Sequence, residues 1–165
     1  MDFQIGDKVV HWSYGPGEVI QVDEKNLGGR TAIYYVVQVR DLTLWVPVDQ
    51  GEKHSLRSPT SADQFEALFD ILRGLGEVLA DDRYERKSQL TERLRDGKLE
   101  SVCRVIRDLS FYSSKKKLND NDAMILERAR KFLLDEWKIA FRISSVDAQR
   151  ELDRLLEEGH QKAIH

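Results

Sequence analysis

The chain has 165 residues, 41% of them hydrophobic and 33% charged, with a formal net charge of −3. That composition belongs to an ordinary folding protein and excludes the low-hydrophobicity regime of disorder. No stretch approaches the roughly 20 apolar residues that span a bilayer, Met1-Asp2-Phe3-Gln4 lacks the basic flank of an export signal, and one cysteine, Cys103, leaves no internal disulfide. A cytoplasmic, monomeric protein without membrane contact is expected.

The hydropathy pattern changes near Ser58. Before it, short β-type runs alternate with glycine turns; after it, the apolar spacing is helical. Two domains are therefore expected, 1–58 and 59–165, in an α+β architecture: a small twisted β-barrel followed by a compact all-α domain of about five helices.

Lys8 to Trp12 reads as a first strand, Gly15-Pro16-Gly17 as the turn after it, and Glu18 to Val22 as the returning strand. Asn26-Leu27-Gly28-Gly29 marks a second turn. Ala32 to Val39, rich in β-branched and aromatic residues, predicts a long third strand. In Leu42 to Val46 the alternation puts Leu42, Leu44 and Val46 on one face and Thr43 and Trp45 on the other, so Trp45 is expected to point away from the core. An outward indole on a strand with an unpaired edge can pack under a neighbouring loop or anchor a partner. Trp12 and Tyr14 are expected to pack in the barrel.

Beyond the linker, Ser61 is placed to cap a helix whose Phe65, Leu68, Phe69 and Leu72 form one stripe, ended by Gly74 and Gly76. A second helix is expected from Asp82 to Arg95, stopped by Asp96-Gly97. The third puts Leu99, Val102, Cys103, Ile106 and Leu109 on one face, which makes Cys103 a core residue. Asn119 or Asp120 caps a long fourth helix with Ile125, Ala129, Leu133 and Trp137 on its apolar side, and a last helix begins at Ser145 with Leu152, Leu155 and Leu156 inward, fraying toward His165.

Charge is unevenly distributed. Between Arg83 and Lys117 eleven basic residues face five acidic ones, and distant acidic charges are screened beyond about 8 Å at physiological salt. Arg83, Arg86 and Lys87, at i, i+3 and i+4, would form one basic cluster on the second helix, able to bridge phosphates or simply to be solvated. Lys115-Lys116-Lys117 reads as a solvated loop. No phosphate-binding glycine loop, nucleophile elbow or zinc-type Cys/His spacing occurs, and His11, His54, His160 and His165 are dispersed. Neither a cofactor nor an enzymatic activity is expected.

The block GDKVVHWSYGPGEV, then YYVVQV and LTLWVP, resembles the N-terminal domain of the CarD/CdnL family of bacterial transcription regulators, a Tudor-like (SH3-like) barrel related to the polymerase-interacting domain of the transcription-repair coupling factor. Val105-Ile106-Arg107-Asp108-Leu109 and Leu126-Glu127-Arg128-Ala129-Arg130, followed by Leu133, Leu134 and Glu136, resemble two further family signatures. The resemblance implies a barrel that grips the RNA polymerase β subunit, with Lys25 and Trp45 at contact positions and Thr43 on the same face. It also implies a helical domain that meets promoter DNA near the upstream edge of the bubble through Arg83, Tyr84, Arg86 and Lys87. The family tryptophan that wedges into DNA falls at Asp82, with Asp81 beside it, so Tyr84 is the expected substitute wedge. Asp81, Asp82, Glu85 and the net charge equally suit an adaptor that binds polymerase without touching DNA.

Overall fold

The computed structural model describes residues 2–49 and 55–163. They form two compact units, Met1–Pro59 and Thr60–His165.

The first unit is a five-stranded antiparallel sheet: β1 (Lys8–His11), β2 (Gly15–Leu27), β3 (Arg30–Val39), β4 (Leu42–Pro47) and β5 (Leu56–Arg57), in spatial order β4-β3-β2-β1-β5. A long β2–β3 hairpin is its spine. Gly28 and Gly29 form the two-residue hairpin turn at φ 61° and 80°, values that match the strand twist and that only glycine adopts without strain. The register slips between Val19 and Gln21, and this bulge adds the twist that curls the sheet around its core. That core is Val9, Val19, Tyr35, Val37, Val39, Val46 and Leu56. Phe3 closes one end, its ring edge-on to Tyr35 at 5.7 Å and its N–H donating to the Tyr35 hydroxyl.

Three expectations for this unit are corrected. Gly15-Pro16-Gly17 is strand rather than turn: Gly15, Pro16 and Gly17 face His11, Val10 and Val9. Glycine is needed at 17 because β3 passes so close that a Cβ there would lie 2.7 Å from the Gln38 carbonyl oxygen. The turn is Trp12 to Tyr14, organised by His11, whose Nδ1 accepts from the N–H groups of Ser13 (3.1 Å) and Tyr14 (3.2 Å). Trp12 and Tyr14 are consequently half exposed instead of packed inside. Leu42, at the start of β4, is also exposed although it lies on the inward side of the alternation.

Burial lowers the His11 pKa below its ordinary 6.5, and an unprotonated Nδ1 is what both hydrogen bonds require. As pH falls below 6.5 the unfolded chain takes up this proton first, so the stability His11 contributes is complete above that value and declines below it. The thermal midpoint should fall between about pH 7.5 and about pH 5.5, and His11→Gln should flatten that dependence. An unchanged slope in the variant would assign the pH effect to other groups.

The second unit is helical: α1 (Phe65–Leu72), α2 (Arg83–Leu94), α3 (Leu99–Ser113), α4 (Asp120–Phe141) and α5 (Ser145–Lys162). Helix α3 lies at its centre, packing on the other four, with Leu99, Val102, Cys103, Val105, Ile106 and Leu109 all buried. Trp137 of α4 is buried against Phe65 and Phe69 of α1, the latter with ring centroids 4.9 Å apart. The starts of the helices follow local chemistry. Asp82 accepts from the Glu85 N–H, Asn119 and Asp122 form a reciprocal capping box, and Ser144 accepts from the Asp147 N–H. Ser61, expected as the cap of α1, lies one turn too early: it accepts from the Gln64 N–H, and the cap position is Gln64, with no side-chain cap bond. Helix α5 continues to Lys162; its end toward His165 lies outside the described residues, as does His54.

Among the described residues three carboxylates are fully buried, and each has partners, as a desolvated charge requires. Asp122 holds Arg86. Asp108 accepts from the Glu77 N–H (2.9 Å) and from Arg107 Nε (2.8 Å), and pairs with Arg93. Glu136 accepts from the Thr60 N–H at 2.7 Å. Asp108 and Glu136 belong to the two sequence signatures of this half, which are therefore tied to the packing of the helices.

Candidate functional site

Cross-strand register fixes the outer face of the sheet, because residues directly opposite one another project the same way. Trp45 opposes Val36, and Thr43 opposes Gln38. Trp45 is 40% exposed while its partner Val36 is buried. Tyr34, two residues along β3, meets the indole edge-on with ring centroids 6.4 Å apart. Lys25, from the far end of β2, places its Nζ 3.5 Å from the centre of the indole ring, a cation–π contact that holds both side chains in one orientation. Thr43 is exposed on the same strand and donates its hydroxyl to Gln38 Oε1 at 2.9 Å. Lys25 and Trp45, twenty residues apart in sequence, are thus one cluster, with Thr43 along the same strand face.

Tyr34 completes that cluster and was not among the residues singled out from sequence. Its position on the face of Ala32 and Val36 is readable from alternation, but its contact with Trp45 depends on the β3–β4 register. Among the described strands β4 has β3 as its one neighbour, so the other side of the strand that carries Trp45 is a sheet edge.

On the helical unit, the basic cluster expected from Arg83, Arg86 and Lys87 divides. Arg83 and Lys87 are exposed. Arg86 is only 4% exposed and points inward: its Nη2 lies 2.8 Å from Asp122 Oδ2, its Nε donates to the same carboxylate at 3.0 Å, and its Nη1 donates to the carbonyls of Ala80 and Asp81. The guanidinium also stacks on the Tyr112 ring at 4.8 Å. The hydrogen bond that Arg86 donates to the Asp122 carboxylate raises the Arg86 pKa further. All three guanidinium nitrogens thus have partners within the fold, which corrects the assignment of Arg86 to a phosphate-facing surface.

Tyr84 is 69% exposed, with the Arg83 guanidinium 4.9 Å from its ring and Arg83 Nη2 donating to its hydroxyl at 3.0 Å. The carboxylates beside it also have internal duties. Asp82 caps α2, and Asp81 receives Lys116 Nζ at 2.6 Å, which lowers the Asp81 pKa. In sequence both are acids that would repel a polyanion; the partner of Asp81 emerges only once Lys116 is brought beside α2.

No group of three or more metal-ligating side chains occurs among the described residues. Cys103 is fully buried, and burial pushes its thiol pKa well up, which leaves it inert as a nucleophile. No described helix is long and apolar enough to cross a membrane.

Comparison with known proteins matches each unit to its own family model. The CarD-like/TRCF RID domain matches residues 3–59, and the CarD, C-terminal domain matches residues 67–153. A relative from Bacillus subtilis (strain 168), named "Putative transcription factor YdeB", is 25% identical over 140 residues, covering 83% of this chain and 91% of that protein. With both halves matched in order along the chain, this protein belongs to the CarD/CdnL family.

Proposed function

We propose that the chain is a transcription regulator that binds the RNA polymerase β subunit through the edge strand β4 and acts on promoter DNA through the start of α2. What carries the reading is the Lys25–Trp45–Tyr34 cluster, an exposed, pre-oriented indole on a sheet-edge strand, in a unit that matches an RID domain. Backbone pairing along β4 supplies affinity, and the indole supplies the anchor. Trp45 stands where the family often has arginine, so the contact here is largely apolar, with Lys25 as the cation beside it.

On the DNA side the working residues are Arg83, Tyr84 and Lys87, held at the upstream edge of the bubble by the grip on polymerase. A chain that binds the open complex about 1.4 kcal/mol better than the closed one shifts their ratio tenfold. This is binding work and needs neither cofactor nor turnover, and it places the protein at the nucleoid with its polymerase.

A second reading, an adaptor that binds polymerase without DNA contact, draws support from the inward position of Arg86. The two separate in one experiment. Arg83→Glu with Lys87→Glu should shorten the lifetime of promoter open complexes while leaving affinity for purified polymerase unchanged. If open-complex lifetime with this variant equals that with the parent protein, the adaptor reading replaces the DNA contact.

A further inference from the structure

The Asp81–Lys116 ion pair is largely exposed and adds little stability, but it shows where the lysine run of the α3–α4 connection lies. Lys116 sits at the α2 start through Asp81, and Asp122, in the first turn of α4, returns to the same place through Arg86. Lys117 lies between these two anchors in sequence, and Lys115 directly precedes the first, its Nζ 4.8 Å from the Phe111 ring. Lys115 and Lys117 are both exposed.

Ion pairing sorts the basic residues of this region. Arg86, Arg93, Arg107 and Lys116 are each paired with a carboxylate. Among the described residues Arg83, Lys87, Lys115 and Lys117 form no ion pair, so their charge is available to an outside anion. Two of the three acids at this helix start are committed, Asp82 to the cap and Asp81 to Lys116, which leaves Glu85 as the exposed carboxylate among four unpaired cations.

We propose that the lysine loop and the start of α2 form one surface for the phosphate backbone of duplex DNA, with Arg83 and Lys87 contributing from the helix and Lys115 and Lys117 from the loop. The inference rests on the DNA contact proposed above and extends it to a segment 30 residues away in sequence. Phosphate contacts of this kind carry no base specificity and reveal themselves through salt. They suit a protein delivered to its site by polymerase, which does not need to find a sequence for itself.

The test is the salt dependence of binding of the full chain to a fluorescent duplex with one forked end, measured by anisotropy. Each lost phosphate contact lowers the magnitude of the slope of log K against log salt by about 0.9. Lys115→Gln with Lys117→Gln should therefore lower it by about 1.8, and Arg83→Gln with Lys87→Gln by a similar amount. If the loop variant keeps the parent slope while the helix variant loses it, the loop is excluded and the α2 contact stands. If neither variant changes the slope, if the parent does not bind the duplex, or if it prefers an RNA hairpin of equal length, the inference fails together with the proposed DNA contact. Unchanged far-ultraviolet circular dichroism shows that any loss is one of charge.

Discussion

Arg86→Ala should lower the thermal midpoint of the helical unit by about 12 °C or more. Removing one partner of a buried ion pair typically costs 3–5 kcal/mol, because the remaining charge is left desolvated, and each kcal/mol moves the midpoint of a domain near this size by about 4 °C or more. Here Asp122, fully buried, would keep only its place in the Asn119 capping box, and the carbonyls of Ala80 and Asp81 would lose their donor. Arg86→Lys keeps the charge but not the fork that reaches a carboxylate and two carbonyls at once, so a large part of the loss should persist. Lys87→Ala, one position along on the exposed side, should change stability by no more than about 0.5 kcal/mol. Thermal melts followed at 222 nm decide the matter, and an Arg86→Ala midpoint equal to that of the parent would contradict the structural role. For the same reason charge reversal at Arg86 is a poor probe of DNA contact: it would report the loss of the fold.

Under the proposed function, Trp45→Ala should weaken binding to purified RNA polymerase by about 30-fold, the equivalent of about 2 kcal/mol for the loss of a central aromatic anchor. Folding stability should change far less, since the ring lies on the outer face at 40% exposure and contributes nothing to the inner core of the sheet. Lys25→Ala should show a smaller loss. Because the Lys25 ammonium lies on the indole itself, the double variant should lose less than the two single losses added together. Titration with labelled protein measures all three, and full affinity in Trp45→Ala would remove the indole from the interface.

These two residues show how far the sequence can be read. Trp45 was legible because strand alternation has a period of two: once Leu44 and Val46 are assigned inward, Trp45 can only face out. The resemblance put Lys25 and Trp45 each at a contact position, but their contact with one another was not legible, since it crosses three strands whose register no local pattern specifies. Arg86 misleads for the corresponding reason. Helical spacing joins it to Arg83 and Lys87, yet helix α2 buries Arg86 and Leu90 on one side, and the carboxylate that draws the arginine inward lies 36 residues away at the start of α4. Periodicity describes a helix face, whereas the partner of that face is tertiary information.

Turns divide along the same line. Gly28-Gly29 was readable because two consecutive glycines between β-rich runs suit a tight hairpin. Gly15-Pro16-Gly17 has equally strong turn residues but is strand, because Gly17 answers to the closeness of β3 and the chain reverses one step earlier around His11. With the reversal at Trp12 to Tyr14, both aromatics are carried outward. The helical core was the most legible part, since Phe65, Leu68, Leu72, Val102, Cys103, Ile106, Leu109, Leu133 and Trp137 all follow helical spacing and all are buried.

Whether β4 is the strand offered to polymerase can be read from hydrogen exchange of the full chain with and without purified RNA polymerase. The amides from Thr43 to Val46 should exchange more slowly in the complex, with the β1 amides unaffected. A complex that forms while those β4 amides exchange as fast as in the free chain would take β4 out of the interface.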